Sequence, residues 1–354
     1  MADQREQRQQ EQDRQEQDRQ EPRPQPHQPD QRRVRPVDMG PAASGSGEGE
    51  STRTVLIAFG ANLIIALAKS AAAFLSHSAS MMAEAAHSWA DTGNEVLLIV
   101  ADRRSRKAPD RDHPLGYGRE AYVWSLFAAM GLFIAGSVVS LFRGVQELLH
   151  PEPGGDFLIS YIVLAVAFIF EGISFTRSTK QARPEAKSLQ RDLIDHVLET
   201  SDPTLRAVFF EDAAALIGLV LAGGGLALHQ VTGNPVFDAL GSLLIGLLLA
   251  GTAYILLDRN REFIVGEEAA PAVRAATIRS LLEMPEIDRV TYLRLEVVGP
   301  RHIYVVGDVD VTGDEAEPEV ARTLRYLEAR LRESPAVVDA VLSLSVKDEP
   351  SITE

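Results

Sequence analysis

The residues best suited to chemistry lie in Ala79–Ala101, ASMMAEAAHSWADTGNEVLLIVA. The stretch is mostly apolar and long enough to cross a bilayer, which takes roughly 20 residues of helix. Yet it carries Glu84, His87, Asp91, Asn94 and Glu95. Spacings of three and four put these along one stripe of a helix. An ionisable group facing lipid costs about 2.5–3.5 kcal/mol on insertion scales, so such groups turn inward to a partner, an ion or water. A His and an Asp one turn apart, both aimed into a bundle, supply half of a transition-metal site. The alternative is a polar stripe that only joins helices.

Other apolar spans carry acids as well. The fifth opens AVFFEDAAALIG, where Glu211 and Asp212 interrupt it. At about 1.5 Å of rise per residue, these two fall near the depth of His87 and Asp91 on a helix running the other way. Neighbouring residues on a helix point about 100° apart, so one of Glu211 and Asp212 is expected to face that pair. The fourth span adds Glu171 inward of the midplane, and the sixth adds Asp238 near the outer end. A His with several acids at converging depths marks a cation path or a proton relay. The chain has no cysteine, so any metal must be held by nitrogen and oxygen. One imidazole with hard oxygens suits Zn, Mn, Fe or Co better than Cu(I). Met81 and Met82 read as packing or lipid contact.

The elements that must position these groups are six apolar spans, at about 54–75, 79–101, 121–142, 157–176, 205–229 and 236–257. Lys69 in the first and Glu84 in the second fall at similar depth and are expected to pair as structural neutralisation. The links after the second and fourth spans are basic, whereas those after the first, third and fifth carry no Lys or Arg. The positive-inside rule puts the basic links and both termini in the cytoplasm. Asp202–Pro203 and Asn234–Pro235 read as N-cap and N1 pairs that open the fifth and sixth helices. The polar link 184–200 reads as a surface helix with His196 in solvent. Gly223–Gly225, in mid-span, allows close helix packing or bending.

Residues 1–52 are rich in Gln, Arg, Glu, Asp and Pro and read as a disordered polar tail. After the membrane part (53–260), residues 261–354 have the composition of a small soluble domain. Its pattern is helix 271–283, strand 288–298, strand 302–311, helix 315–333 and strand 337–347. VTYLRLEVVG and HIYVVGDVDV alternate as partners across a tight Pro300–Arg301 turn. This αββαβ unit leaves a sheet face or edge available for dimer contacts. The expected fold class is a six-helix transmembrane bundle with a cytosolic α+β domain.

A net charge of −15 argues against nucleic acid as a partner. No HExxH, GxGxxG or nucleophile–base pair is present, so the chain is not expected to be an enzyme or to hold a cofactor. The tail offers no apolar signal region and is too acidic for an organellar presequence, which suggests a prokaryotic plasma membrane.

SHSASMMAEAAHSWADTGNEVLLI, DHPLGYGREAYVWSL, EDAAALIG and NPVFDALGSLLIG together resemble the cation diffusion facilitator family. Within it they are most similar to the zinc transporter 9 type of branch. The resemblance runs from about residue 53 to the end. It implies a homodimeric six-helix antiporter that exports a divalent metal against entering protons. The transport site would lie between the second and fifth helices, above a ferredoxin-like dimerising cytosolic domain. His87 and Asp91 match the family's second-helix HxxxD pair, and Asp212 matches the acid that ends the fifth-helix pair. Val208 stands where that pair's first ligand would be. Glu211 is the first choice to complete the shell, with Glu171, Asn94 or water as alternatives. The family favours zinc as cargo; manganese, iron and cobalt fit the same donors. A non-transporting membrane sensor or scaffold is the other reading. His302, the only imidazole of the C-terminal domain, reads as a surface residue.

Overall fold

The computed structural model describes residues 48–151, 157–189 and 191–352, with side chains from residue 59 onward. The tail up to residue 47 and most of the link 150–156 lie outside the described residues. The last few residues read as tail are helical.

The chain opens with α1 (Glu48–Ser76) and α2 (Ala79–Ser105), joined by a turn at His77, whose φ of 53° is left-handed. Then come α3 (Glu120–Leu149), α4 (Leu158–Ser188), the short α5 (Leu193–Glu199), α6 (Pro203–Thr232) and α7 (Val236–Val265). Each of the six expected spans is a helix. By length and composition, α1 over Phe59–Ser76, α3, α4 and α7 are apolar enough to cross a membrane. Their outer faces carry Ile64, Phe142, Ile169 and Leu247, all more than half exposed, as a lipid-facing surface would. In α2 and α6, which carry the ionisable stripe and the Glu211–Asp212 pair, about half of the residues are buried inside the protein.

Small residues set the close helix crossings. Gly225 of α6 lies against Phe237 O and Gly241 of α7, so of the glycine triplet this one is the packing contact. Between α3 and α7, Ser137 donates to Gly246 O (2.8 Å) and Ser242 donates to Ser140 O (2.8 Å). Gly136 meets Leu249 at the same crossing, inside a π-helical stretch Leu132–Val138 of α3. Such a stretch re-aims a helix by one residue. Close backbone approach plus hydroxyl bonds is how apolar helices associate where water cannot drive them together.

The structure adds to one sequence expectation and corrects another. Asp238, one of the acids read as converging, is buried and accepts from Ala79 N (2.7 Å), Ser78 Oγ (2.9 Å) and Ser80 Oγ. It therefore caps the N-terminus of α2, where free N–H groups and the helix dipole favour an anion. At the start of α6, Asp202 caps as expected, accepting from Thr204 N and Leu205 N. Asn234 likewise accepts from Val236 N, and Pro235 already has helical backbone angles.

His196 is buried rather than solvated. α4 runs on through Pro184 to Ser188, and its Glu185 lies 3.8 Å from His196 Nε2. Glu185 also binds Arg301 Nη2 (2.7 Å), and Arg301 N donates to Ser201 Oγ (3.0 Å). Arg301 sits in the tight turn between β1 (Ile287–Gly299) and β2 (His302–Val311), in the left-handed region at φ 61°. The polar link is thus roofed by the C-terminal domain. Arg119, just before α3, pairs with Glu296 of β1, and Gly118 lies directly against Gly299, with no room for a side chain on either.

That domain begins after Gly266 ends α7 at φ 117°. α8 (Pro271–Leu282) precedes β1 and β2; α9 (Glu317–Arg332) and β3 (Val337–Leu344) follow. β2 is central, antiparallel to β1 and parallel to β3, giving the expected αββαβ order. Leu295, Val305, Val309 and Ile278 form its interior. His302 is exposed, as expected.

Asp238→Ala removes a buried acceptor from several donors and is expected to cost about 1–3 kcal/mol, read as a lower Tm in detergent. Burial holds His196 below the ordinary imidazole range, aided by Arg191 and Arg301 and opposed by Glu199. Its unfolded state therefore binds protons more readily, so its share of stability is complete above about pH 6.5 and falls at lower pH. Hydrogen exchange over 193–201, corrected for intrinsic rates, should quicken from about pH 7.5 to about pH 6. His196→Phe should remove the imidazole's part of that change.

Candidate cation site

The α2 stripe faces the interior. Glu84, His87 and Asn94 are almost fully buried, and the Asp91 side chain is 17% exposed. His87 Nδ1 lies 3.5 Å from Asp91 Oδ1, one helical turn on. Among the described residues, neither ring nitrogen of His87 has a hydrogen-bond partner, and the same holds for Asp91 Oδ1, Asn94 Oδ1, Glu95 Oε2 and Glu84 Oε1. Buried polar atoms are ordinarily paired, so a line of unpaired ones along a single helix is unusual and points to a ligand path.

α6 brings its two acids to this stripe by different contacts. Glu211 accepts from Asn94 Nδ2, so it is the acid that faces α2. Asp212 accepts from Ser174 Oγ of α4 (2.8 Å). The 100° step between neighbours thus assigns one acid to each adjoining helix. The charges of Glu211, Glu171 and Asp212 all act on Asp91, so the four carboxylates share one electrostatic environment. Among the described residues, no three His, Asp or Glu side chains converge closely enough to hold a metal. Val208, one turn before Asp212, is half-buried and offers no donor atom.

The first helix supplies counter-groups. Lys69 Nζ binds Glu84 Oε2 at 2.8 Å with both side chains fully buried, the pairing expected from depth. Asn62, two turns earlier, donates to Glu95 Oε1 at 2.8 Å. α1 is thereby fastened to α2 on either side of the His87–Asp91 level. Ser174 is the contributor that sequence reasoning missed. Its one signal is a place three residues after Glu171, on the same face of α4. Met81 is buried in the apolar core, with Met82 packed against it.

An imidazole and carboxylates from two helices thus lie buried in one apolar bundle. Residues 55–262 match the model of the cation efflux transmembrane domain. The chain belongs to the cation efflux family. Members of this family are transporters rather than enzymes, and the protein is a membrane protein.

Metal tolerance protein C4 of Arabidopsis thaliana is 33% identical over 263 residues, covering 74% of this chain and 58% of the relative. The proton-coupled zinc antiporter SLC30A9, mitochondrial, of Homo sapiens is 31% identical over 262 residues, covering 74% and 46%. Zinc transporter ZitB of Escherichia coli is 24% identical over 259 residues, covering 72% and 76%. The chain therefore spans about half the length of the first two, whose names, one plant and one mitochondrial, lend no support to a prokaryotic plasma membrane.

Proposed function

We propose that this cation efflux protein exports a divalent metal, zinc before manganese, iron or cobalt, in exchange for protons. The cargo is held between α2 and α6 by His87, Asp91, Asp212 and Glu211, with Glu171 or Asn94 completing the shell. The observation that carries this reading is the buried His87–Asp91 pair. Among the described residues both ring nitrogens of His87 and Asp91 Oδ1 make no hydrogen bond, and Asp91 lies in the field of the α6 acids.

Competition supplies the coupling. Imidazole and carboxylate coordinate metal only when deprotonated, so each proton that binds weakens the grip on the cation. Two conformations that open the site to opposite sides of the membrane then convert proton entry into metal exit. Asn94 and Ser174 hold the α6 acids by one oxygen each, which keeps the other oxygen of each acid for cargo or proton. In this arrangement all six long helices span the membrane. Both termini face the cytoplasm, as the basic links require. The C-terminal domain, ferredoxin-like in kind, joins two copies through its sheet.

In proteoliposomes, His87→Ala and Asp91→Ala should each abolish proton-driven zinc flux while leaving Tm and oligomeric state unchanged. Wild-type flux in both variants would remove these residues from the site. Offering Zn, Mn, Fe, Co and Cd in turn ranks the cargo. Zinc binding by the wild type with no flux would instead favour a sensor.

A further inference from the structure

We propose that the cation route has a second station, two helical turns from Asp91 toward the N-terminal end of α2, built around Glu84 and occupied here by the Lys69 ammonium. This rests on the export reading above and adds a site to it. Glu84 precedes Asp91 by seven residues, about 10 Å along the helix.

Three observations carry it. Glu84 is fully buried and spends one oxygen on Lys69; the other, Oε1, has no hydrogen-bond partner among the described residues. That oxygen lies against Gly218 of α6, where an added Cβ would overlap it and push the carboxylate aside. The lysine itself is fully buried. Its charge acts not only on Glu84 but also on Glu171, Asp91 and His87. An ammonium carries three donors, and among the described residues Lys69 makes one hydrogen bond, to Glu84.

A neutralising pair would need none of this. Burial of an ion pair repays its desolvation only when the remaining lone pairs are satisfied as well. Here, among the described residues, one oxygen is left without a hydrogen bond beside Gly218, and the charge of the cation acts on Glu171, Asp91 and His87. Lys69 is thus a tethered competitor for the cargo. A dication moving from Asp91 toward Glu84 meets a fixed positive charge, which keeps the second station from becoming a trap. The ligand class is the same divalent cation as at the first station.

The test uses the full chain in detergent for zinc titration calorimetry and in proteoliposomes for flux. Wild type and Lys69→Arg, which keeps the charge, should bind one zinc per protomer. Lys69→Met should bind a second, and adding Glu84→Gln should take it away again. Turnover in Lys69→Met should fall about 10–100-fold as cargo lingers, with KM lowered. Gly218→Ala, which displaces Glu84 without touching Lys69, should lower kcat and leave KM unchanged. It also decides the question should Lys69→Met not fold. A folded Lys69→Met with one zinc, or Gly218→Ala with wild-type kcat, overturns the second station. A wild type that binds no zinc, or an Asp91→Ala variant that still binds it, overturns the export reading instead.

Discussion

The structure depends on one constraint: charge placed in an apolar interior must be matched there, because water is not at hand to do it. Lys69–Glu84, Asn62–Glu95, Asn94–Glu211 and Ser174–Asp212 each answer that demand across a helix–helix contact. The same bonds that make the acids tolerable also fix how α1, α2, α4 and α6 are rotated. Among the described residues, what is left unmatched is chiefly both nitrogens of His87 and one oxygen of Asp91, the atoms on which the proposed cation site rests. Scaffold and site are two parts of one set of interactions.

Much of this was legible in the sequence. The three-and-four spacing from Glu84 to Glu95 shows one helix face without reference to any neighbour. Depth counted from opposite membrane faces found the Lys69–Glu84 contact, because helix rise is nearly constant. Rotation about a helix axis is not constrained in that way. The partners of Glu211 and Asp212 therefore had to come from the fold: a difference of one residue sends one to α2 and the other to α4. Asp238 shows the same limit: its bonds to Ala79 N and the Ser78 hydroxyl at a neighbouring helix end depend on the fold and not on spacing along its own span.

His196 shows the other limit. The link 184–200 is polar enough to lie in water, and nothing local says otherwise. It is covered by Arg301, more than a hundred residues later, and by the extension of α4 beyond its apolar part. Burial of this kind is created by a contact between distant segments. Hydropathy along a window does not register it. The αββαβ order, by contrast, rests on strand alternation and a two-residue turn, both local, and was readable throughout.

The backbone contact between Gly118 and Gly299 has a mechanical consequence. With no side chains between them, the loop that leads into α3 and the end of β1 touch main chain to main chain, and Arg119–Glu296 bolts the same place. A tilt of α3 is therefore delivered to the C-terminal sheet without slack. The hinge, if the two halves swing apart, has to sit elsewhere along the chain, and Gly266 at the foot of α7 has the backbone freedom to serve as that pivot.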